Sequence, residues 1–339
     1  MSPCKSALTR RHGIGVFLVG VACTLASFGQ VQAQAQPQAQ AWPTHPVKLI
    51  SPWPAGGSND TFSRLIATRL TTTLGQPVIV ENRPGASGTL GVSQVARAPA
   101  DGYTLVMGSS PTHATALSIY PQLSYHPVKD FSPITLVGSS ANGLVVHPSV
   151  PANSVAELIA LAKSKPGKLS YASTGSGSSQ HLSAELFKVM AGVDMLHVPY
   201  KGAAPAVSDI VAGHINLGFH NLVDVLPHVK AGTLRLLAVT SAQRSKALPE
   251  TPTIAESGVP GYAAEVWFGI FAPAKTPRPI VDRLHREISA ALSEPEIRAR
   301  FDASGMEVVA SGPDAFARYV QEEITKWSDI VRRADVKPN

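Results

Sequence analysis

The fold is decided by residues 47–74, which read VKLISPWPAGGSNDTFSRLIATRLTTTL. Residues 47–51 are a short β-branched and apolar burst, which is typical of a buried strand. A turn rich in Pro, Gly and Ser follows over 52–60, and apolar residues at helical spacing then predict a helix over 61–74. A strand, a tight turn and a helix in this order form the first part of a βαβ unit, from which parallel sheets are built.

The same alternation continues along the chain. Further buried strands are predicted at residues 78–81, 104–108, 169–172, 196–200, 215–219 and 235–240. Further helices are predicted at residues 88–98, 154–163, 179–191, 203–212 and 222–231, and two more begin at Pro279 and Pro313. The repeated order of strand, helix and strand predicts an α/β fold with parallel sheets and helices on both faces.

Two extended stretches interrupt this alternation. Residues 131–147 contain two apolar bursts with no helix between them, and residues 266–272 form an aromatic-rich run. We interpret both stretches as crossovers between two α/β lobes, because a chain that leaves one lobe has to return to it. On this interpretation lobe one consists of residues 42–141 plus 267–339, and lobe two of residues 142–266.

Composition excludes several functional classes. The chain has 339 residues, of which 44% are hydrophobic and 15% charged, so it can form two ordinary domains and is too apolar to be disordered. Its formal charge is +6, but beyond residue 33 there are 26 Lys and Arg against 23 Asp and Glu, and no basic run exceeds two residues. Nucleic acid is therefore not expected as a partner. No apolar run after residue 30 reaches the ~18 residues of a membrane helix, which excludes a polytopic membrane protein.

The N-terminus is predicted to be a signal peptide. Three cations precede an apolar run over 13–28, and residues 31–33 place small side chains at the positions that signal peptidase recognises. We predict a signal peptide over residues 1–33, cleaved after Ala33. A retained anchor, a lipoprotein and twin-arginine export remain as alternatives.

The segment after the predicted cleavage site alternates Gln and Ala over residues 34–41, which indicates a low-complexity spacer. Both cysteines, Cys4 and Cys23, fall inside the signal peptide. The mature protein would therefore have neither a disulfide nor a cysteine-based site. The expected location is the periplasm.

Four predicted strand-to-helix junctions are rich in Gly, Ser and Thr. They cover residues 52–60, 83–89, 109–113 and 173–181. Open parallel sheets bind ligands beyond the carboxyl ends of their strands. Glycines let the backbone approach a ligand, and the free N–H groups of a helix's first turn attract anions, so each junction is a candidate anion site. The alternative is that these residues serve only as turn and N-cap residues.

The junctions carry no catalytic motif. Gln180 stands where a dinucleotide loop would have its third glycine, and the chain has no phosphate loop and no nucleophile elbow. His181 and Glu185 lie one helical turn apart, but without a second nearby histidine we interpret them as a surface contact and expect no metal and no cofactor. We therefore expect a binding protein. An exported α/β enzyme acting on a small anion, for which His113 or Asp60 would supply the acid or base, stays open as an alternative. So does a ligand-presenting sensor accessory.

Several longer motifs extend this interpretation. They are PAGG over 54–57 with Asp60, VENRPGA over 80–86, ADGYTL over 100–105, HVPYKG over 197–202 and LLAVT over 236–240. In these motifs, and over nearly the whole mature chain, the sequence resembles the Bug-type substrate-binding proteins of tripartite tricarboxylate transporters.

The resemblance implies a type II periplasmic binding protein, or Venus flytrap, with two doubly wound α/β lobes joined by two extended crossovers. Such a protein holds a small carboxylate in the cleft between its lobes. The implied partners are this ligand and the membrane permease subunits of the transporter, and the protein is expected to be a monomer without a cofactor. We expect closure by hinge motion at the two crossovers, and specificity from cleft shape, water, backbone N–H groups and hydroxyls.

The resemblance also implies a set of ligand contacts. The 54–60 loop would close over the ligand's carboxylate, and residues 174–179 would grip the same carboxylate from lobe two. Ser109, Ser110 and Thr112 would add a second first-lobe contact. From the residues themselves, Trp53 is either a shelf for the ligand or a packing plug, the Tyr200 hydroxyl is predicted to reach the cleft rim, and Lys201 is more typical of a solvated loop. The predicted ligand-binding residues are Trp53, Ala55, Gly56, Gly57, Asp60, Ser109, Ser110, Thr112, Thr174, Gly175, Ser176, Ser178, Ser179, Tyr200 and His220.

One position departs from the family pattern. Where these proteins usually have Asp before Asn-Leu, this chain has His220 before Asn221 and Leu222. His220 would then accept a second carboxylate or an uncharged group. The alternative is a partly exposed histidine at a strand end, bonded to the backbone.

Overall fold

The structure is a computed structural model that describes residues 42–333 and residue 336. The predicted signal peptide and spacer, residues 1–33 and 34–41, lie outside the described residues. Among the helices between residues 42 and 333, none combines the length and the apolar composition of a membrane span.

Strands and helices alternate through most of the described chain. In order, the elements are β1 (Val47–Ser51), α1 (Ser58–Leu74), β2 (Val78–Asn82), α2 (Thr89–Ala96), β3 (Thr104–Ser109), α3 (Ala116–Ile119), β4 (Phe131–Val146), α4 (Val155–Ser164), β5 (Ser170–Ser173), α5 (Ser179–Ala191), β6 (Leu196–Pro199), α6 (Ala203–Val211), β7 (Leu217–Asn221), α7 (Leu222–Lys230), β8 (Arg235–Val239), β9 (Glu265–Pro273), α8 (Arg278–Ser293), α9 (Pro295–Ala303), β10 (Met306–Ser311) and α10 (Pro313–Arg333). A 3₁₀ turn (Ala86–Gly88) precedes α2, and a π-helical turn (Pro111–Thr115) precedes α3.

The strands form two sheet regions that share β4. The first has the order β2-β1-β3-β9-β4, with β10 on the other edge of β4, and we call its elements the first lobe. The second has the order β6-β5-β7-β4, with β8 on the other edge of β4, and it defines the second lobe. Both regions follow one pattern, in which the first strand of the lobe lies between its second and third strands. The two-lobed α/β architecture predicted from the sequence is therefore present.

The expectation of parallel sheets is correct for only part of each lobe. The pairs β1–β2, β1–β3, β5–β6 and β5–β7 are parallel. The pairs that involve β4 or β9, which are the crossover strands, are antiparallel. The two apolar bursts predicted over 131–147 are one continuous strand of 16 residues.

Thr240, directly after β8, bridges β4 and the residue before β9 where the chain passes between the lobes. The Asn142 N–H donates to Thr240 Oγ1 at 2.8 Å, and the Thr240 N–H donates to the Asn142 carbonyl at 2.9 Å. The Ala264 N–H then donates to the Thr240 carbonyl at 2.8 Å. Asn142 and Thr240 are both fully buried. The connection between the lobes is thus short and held by hydrogen bonds.

The first lobe buries both faces of its sheet. Alternate residues of a strand point to opposite faces, and β9 follows this rule with aromatic side chains. Phe268 packs edge-on against Phe62 of α1 with ring centroids 5.2 Å apart, and Phe62 stacks on Phe301 of α9. On the opposite face Trp267 packs edge-on against Phe316 of α10, with centroids 5.7 Å apart. A strand covered by helices on both sides explains the uninterrupted apolar, aromatic-rich run seen in the sequence.

Candidate ligand-binding cleft

A cavity lies where the carboxyl ends of strands from both lobes meet the starts of the following helices. It has a volume of about 420 Å³ including its mouth. Its lining residues are Trp53, Pro54, Gly57, Ser58, Asn59, Ser109, Pro111, Thr174, Ser179, Gln180, Gly202, Ala203, Asn221, Asp224, Val266 and Phe268. They come from both lobes.

Four helices begin at this cavity. They are α1, α5, α6 and α7, and their N-caps are Gly57, Ser178, Gly202 and Asn221. Of these four caps only Ser178 accepts a hydrogen bond from its own helix through its side chain, from the His181 N–H at 3.3 Å. Uncapped first-turn N–H groups carry partial positive charge and bind anions. None of the lining residues is Lys, Arg or His, so helix starts supply the positive potential here.

Asp60 fixes the loop that enters α1. Its buried carboxylate accepts hydrogen bonds from the Gly56 N–H at 3.0 Å, from Asn82 Nδ2 at 2.9 Å and from Arg64 Nε at 3.0 Å. Burial raises the pKa of Asp60, but the hydrogen bonds from Arg64, Gly56 and Asn82 outweigh burial and hold the pKa below its usual range. Asn82 Nδ2 also donates to the Trp53 carbonyl at 3.1 Å. Asp60 therefore positions the loop and does not line the cavity.

The first-lobe floor of the cavity is built around Asn59 and Ser109. Asn59 accepts from Ser51 Oγ and donates to the Met107 carbonyl, both at 2.9 Å, and so ties the start of α1 to β1 and β3. The Ser109 N–H donates to Thr112 Oγ1 at 3.0 Å. Ser109 Oγ is buried and has no hydrogen-bond partner among the described residues. Its hydroxyl is free to bind a ligand.

The second-lobe wall is organised by Gln180. Its Oε1 accepts from Thr174 Oγ1 at 2.9 Å and from Ser179 Oγ at 3.3 Å, so two hydroxyls of the predicted 174–179 segment are oriented by one amide. Gln180 is buried and lines the cavity.

Two stacked histidines support this wall from behind. His181 and His197 lie with ring centroids 4.0 Å apart, and His181 Nδ1 accepts the Gly177 N–H at 3.0 Å. Burial lowers the pKa of His181 to about 3 and that of His197 to about 4, so both rings are neutral near pH 7. The prediction that His181 and Glu185 form a surface contact is wrong, because His181 is only 6% exposed. Its ring is part of the scaffold of the 173–181 loop.

The lobes contact each other around the cavity. Asn221 Nδ2 of the second lobe donates to Ser58 Oγ of the first. Near the mouth, Ser87 Oγ and Tyr120 Oη both donate to the Ser176 carbonyl, at 2.5 and 3.1 Å. Gly202 lies against Pro54, since a Cβ on Gly202 would be 3.1 Å from Pro54 Cγ. The cleft is therefore in a closed conformation.

A wider groove lies outside the cavity. It has a volume of about 1330 Å³ including open solvent, and its lining includes Gly175, Ser176, Tyr200 and Lys201. Trp53, Pro54, Thr174 and Gly202 line both the groove and the cavity, so they form the boundary between the two. Trp53 is partly exposed, which fits a side chain at a mouth.

The structure brings together part of the predicted site. Trp53, Gly57, Ser109, Thr174 and Ser179 line the cavity, and Gly175, Ser176 and Tyr200 line the groove. The Tyr200 hydroxyl donates to Asp209 Oδ2 at 2.6 Å. Seven predicted residues line neither space: Ala55 and Gly56, which are exposed, and Asp60, Ser110, Thr112, Ser178 and His220, which are buried.

His220 lies in the core of the second lobe. It is fully buried, and a Cβ on Gly218 would lie 2.6 Å from His220 Cδ2 and 2.7 Å from Ile210 Cδ1, so the ring packs on the face covered by α6. Burial lowers the pKa of His220 to about 4. The alternative of a partly exposed strand-end histidine is therefore wrong.

Eleven lining residues were not among the predicted contacts. Pro54, Ser58, Asn59, Pro111 and Gln180 lie inside the predicted junctions, and Gly202, Ala203, Asn221, Asp224, Val266 and Phe268 lie outside them. Asn221 and Asp224 lie at a strand-to-helix junction, and so do Gly202 and Ala203. The expectation that ligands bind at the starts of helices that follow strands therefore applies to these two junctions as well. The selection missed these two junctions because it relied on richness in Gly, Ser and Thr.

Two α/β lobes that share a cleft, with uncapped helix starts facing it, define a ligand-binding protein of the two-lobed periplasmic type. The sequence model of the tripartite tricarboxylate transporter family receptor, TctC, matches residues 62–336. The chain belongs to this family.

Individual relatives agree with this assignment. Protein BugT of Bordetella pertussis is 38% identical over 300 residues, covering 88% of this chain and 92% of that protein. The structure of R. palustris Rpa4515 with adipate has a TM-score of 0.85 and 41% identity, covering 88% of this chain and 100% of that one. The structure of MatC from Rhodopseudomonas palustris with bound malate has a TM-score of 0.81 and 34% identity, covering 85% and 99%.

These similarities confirm the resemblance to Bug-type proteins and the two-lobed fold. The chain is a solute-binding receptor of the periplasmic class and not an enzyme, since its family is a receptor family and these two structures hold bound carboxylates.

Proposed function

We propose that the protein captures a small carboxylate in the cleft between its lobes and delivers it to the membrane permease subunits of a tripartite tricarboxylate transporter. The proposal includes a periplasmic location, the signal peptide over residues 1–33 and a monomeric receptor. Adipate bound to Rpa4515 and malate bound to MatC support a carboxylate as the ligand class.

One observation carries the proposal. Four helix starts from two lobes converge on one cavity, and three of them have no side-chain cap. An anion placed there accepts hydrogen bonds from both lobes at once, which links binding to closure. Without a cationic side chain in the lining, a bound ion gains from many weak donors, and selectivity follows the shape of the cavity.

The hinge is proposed at the paired crossovers. Asn142, Thr240 and Ala264 connect the two crossover chains at the passage between the lobes. Opening requires only small backbone rotations there, while the contacts of Ser176 with Ser87 and Tyr120 would break.

A thermal-shift screen tests the proposal. The purified mature protein is heated with mono- and dicarboxylates of increasing chain length, with aromatic acids, and with the methyl esters of the same acids as uncharged controls. A carboxylate at ~100 times its dissociation constant should stabilise the folded protein by about 2.7 kcal/mol, and its ester should not. No stabilisation by any carboxylate, or equal stabilisation by the esters, would contradict the proposal.

A further inference from the structure

The cavity contains a carboxyl group that is paired with no cationic side chain among the described residues. Asp224 lies in the first turn of α7 and lines the cavity. Its Oδ2 atom is buried and has no hydrogen-bond partner among the described residues. It is also the only ionisable side chain in the described lining. A carboxyl group is unexpected in a cleft proposed to bind carboxylates, because like charges repel.

Other polar atoms of the cavity also lack hydrogen-bond partners. Asn221 is 4% exposed, and its Nδ2 donates to Ser58 Oγ, but its Oδ1 is buried and has no partner among the described residues. Ser109, which is 1% exposed, leaves its hydroxyl oxygen free in the same cavity. A buried acceptor without a donor costs about 1–3 kcal/mol, so the bound ligand is expected to supply donors. The wall near Asp224 and Asn221 thus complements an N–H group.

Burial disfavours the ionised form of Asp224. Burial raises the pKa of Asp224 to about 7, and the backbone N–H of Ser58 partly offsets this rise. When Asp224 is ionised, a ligand carboxylate that faces it in the closed cavity is repelled, and such juxtaposition costs several kcal/mol. A ligand with an N–H donor at that end removes this repulsion and satisfies the free acceptors.

We propose that Asp224 makes the cleft selective for a carboxylate that carries an N–H donor at its other end, as a carboxamide or an ammonium group does. The helix starts bind the carboxylate, and Asp224 with Asn221 accepts from the donor. The inference rests on the proposed function and adds the substrate class.

Matched pairs of probes test this inference, because a carboxamide and a carboxylate have nearly the same shape. Succinate, glutarate and adipate are compared with their monoamides and with the ω-amino acids of similar length, by calorimetric titration. The wild-type protein should bind at least one monoamide or amino acid about tenfold or more tightly than the matched dicarboxylate. The two donor series distinguish the neutral amide from the ammonium group.

Variants assign the effect to one residue. Asp224→Asn replaces an acceptor by a donor, so the preference should reverse toward the dicarboxylate by about tenfold. Asp224→Ser removes the charge and should abolish the preference if the Asn variant does not fold. Asp302→Asn changes the same charge at an exposed site outside the cavity and should leave the preference unchanged.

Each other outcome overturns the inference. Equal or tighter binding of the dicarboxylate by the wild-type protein would refute it and leave the proposed function standing. An unchanged preference in both Asp224 variants would refute the role of this residue. Binding of no carboxylate in the probe pairs or in the thermal-shift screen would refute the proposed function itself.

Discussion

At the scale of single residues, Asp60 illustrates why a predicted contact is absent from the cavity lining. Sequence alone places it at the start of a helix next to a glycine turn, where a ligand contact and a scaffold role look the same. In the structure its carboxylate is fully used by Gly56, Arg64 and Asn82. Ser178 is similar, because its hydroxyl caps α5. Hydrogen-bond partners are set by the tertiary structure. The sequence therefore predicts which junctions form the site better than it predicts which of their residues contact the ligand.

We predict that Asp60→Ala lowers the free energy of unfolding by about 2–3 kcal/mol, because it removes charge-assisted hydrogen bonds and leaves the Gly56 N–H and the Asn82 amide without their acceptor. Urea denaturation measures the change. Asp101→Ala, which removes an exposed acceptor of the Tyr103 N–H, serves as the control and should cost clearly less. Equal losses in the two variants would show that the Asp60 network adds little to stability.

Ser109 gives the opposite prediction. Its hydroxyl oxygen has no partner in the described structure, so Ser109→Ala should leave the free energy of unfolding nearly unchanged. Carboxylate affinity should fall by about five- to tenfold, because one hydrogen bond to the ligand is lost. Ser93→Ala, at a buried serine that bonds Ser124, is the control and should leave affinity as it is. Unchanged carboxylate affinity in Ser109→Ala would remove Ser109 from the site.

At the scale of elements, the local periodicity was sufficient for most strands and helices. The predicted bounds of β1 and α5 agree with the structure, and α1 begins at Ser58, three residues before the predicted start. The helix α9 and the strand β10 were not predicted. In α9 only Phe301 is buried, and β10 alternates weakly, so neither carries a strong periodic signal. The direction of β4 and β9 in the sheet depends on the path that the chain takes between the lobes. The apolar and polar pattern within a strand carries no information about this path.

Four buried histidines, two of which support the 173–181 loop, predict how the free energy of unfolding depends on pH. Burial lowers the pKa of His113 and His181 to about 3, and of His197 and His220 to about 4, from an ordinary value of 6.5. The unfolded chain therefore binds more protons than the folded one between these values. The stabilising effect is complete above pH 6.5 and is lost as the pH falls toward 4 and 3, by about 1.4 kcal/mol per pH unit for each histidine.

Urea denaturation between pH 7.5 and 4 tests this dependence. His220→Leu should reduce the slope of unfolding free energy against pH by about one histidine's share, or 1.4 kcal/mol per pH unit. His214→Gln, at an exposed ring, controls for the number of histidines. A wild-type stability that stays flat from pH 6.5 to 4.5 would contradict the assignment of neutral buried rings.

The paired crossovers give a prediction for the hinge. Thr240→Val keeps the side-chain shape but removes the acceptor of the Asn142 N–H, which should cost about 1–3 kcal/mol. It should also change how far the lobes close on a carboxylate, as measured by the radius of gyration from X-ray scattering with and without ligand. Thr276→Val removes a hydrogen bond to the Pro273 carbonyl at the end of β9 that is remote from Thr240, and should affect stability alone. The same ligand-induced change in both variants would argue against a hinge at Thr240.

At the scale of the whole molecule, the two lobes repeat one strand order and present helix starts to one cleft. In the sequence, the two extended stretches predicted the two lobes, and the resemblance to Bug-type proteins together with the lack of a catalytic motif predicted a binding protein. The ligand's chemistry is set by few side chains, and Asn221 and Asp224 were missed because they lack the glycine-rich signal of the other junctions. The lobe boundaries of residues 42–141 plus 267–339 and of residues 142–266 stay a prediction.

The central claim is that one carboxylate is bound by both lobes at once, through the N–H groups at the starts of their helices. Amide NMR on the ¹⁵N-labelled protein, titrated with the carboxylate that stabilises it most, measures this directly. The N–H signals of Asn59 in the first lobe and of Ser179 and Ala203 in the second should shift together and give one dissociation constant. Shifts confined to one lobe, or centred away from these three amides, would contradict the claim.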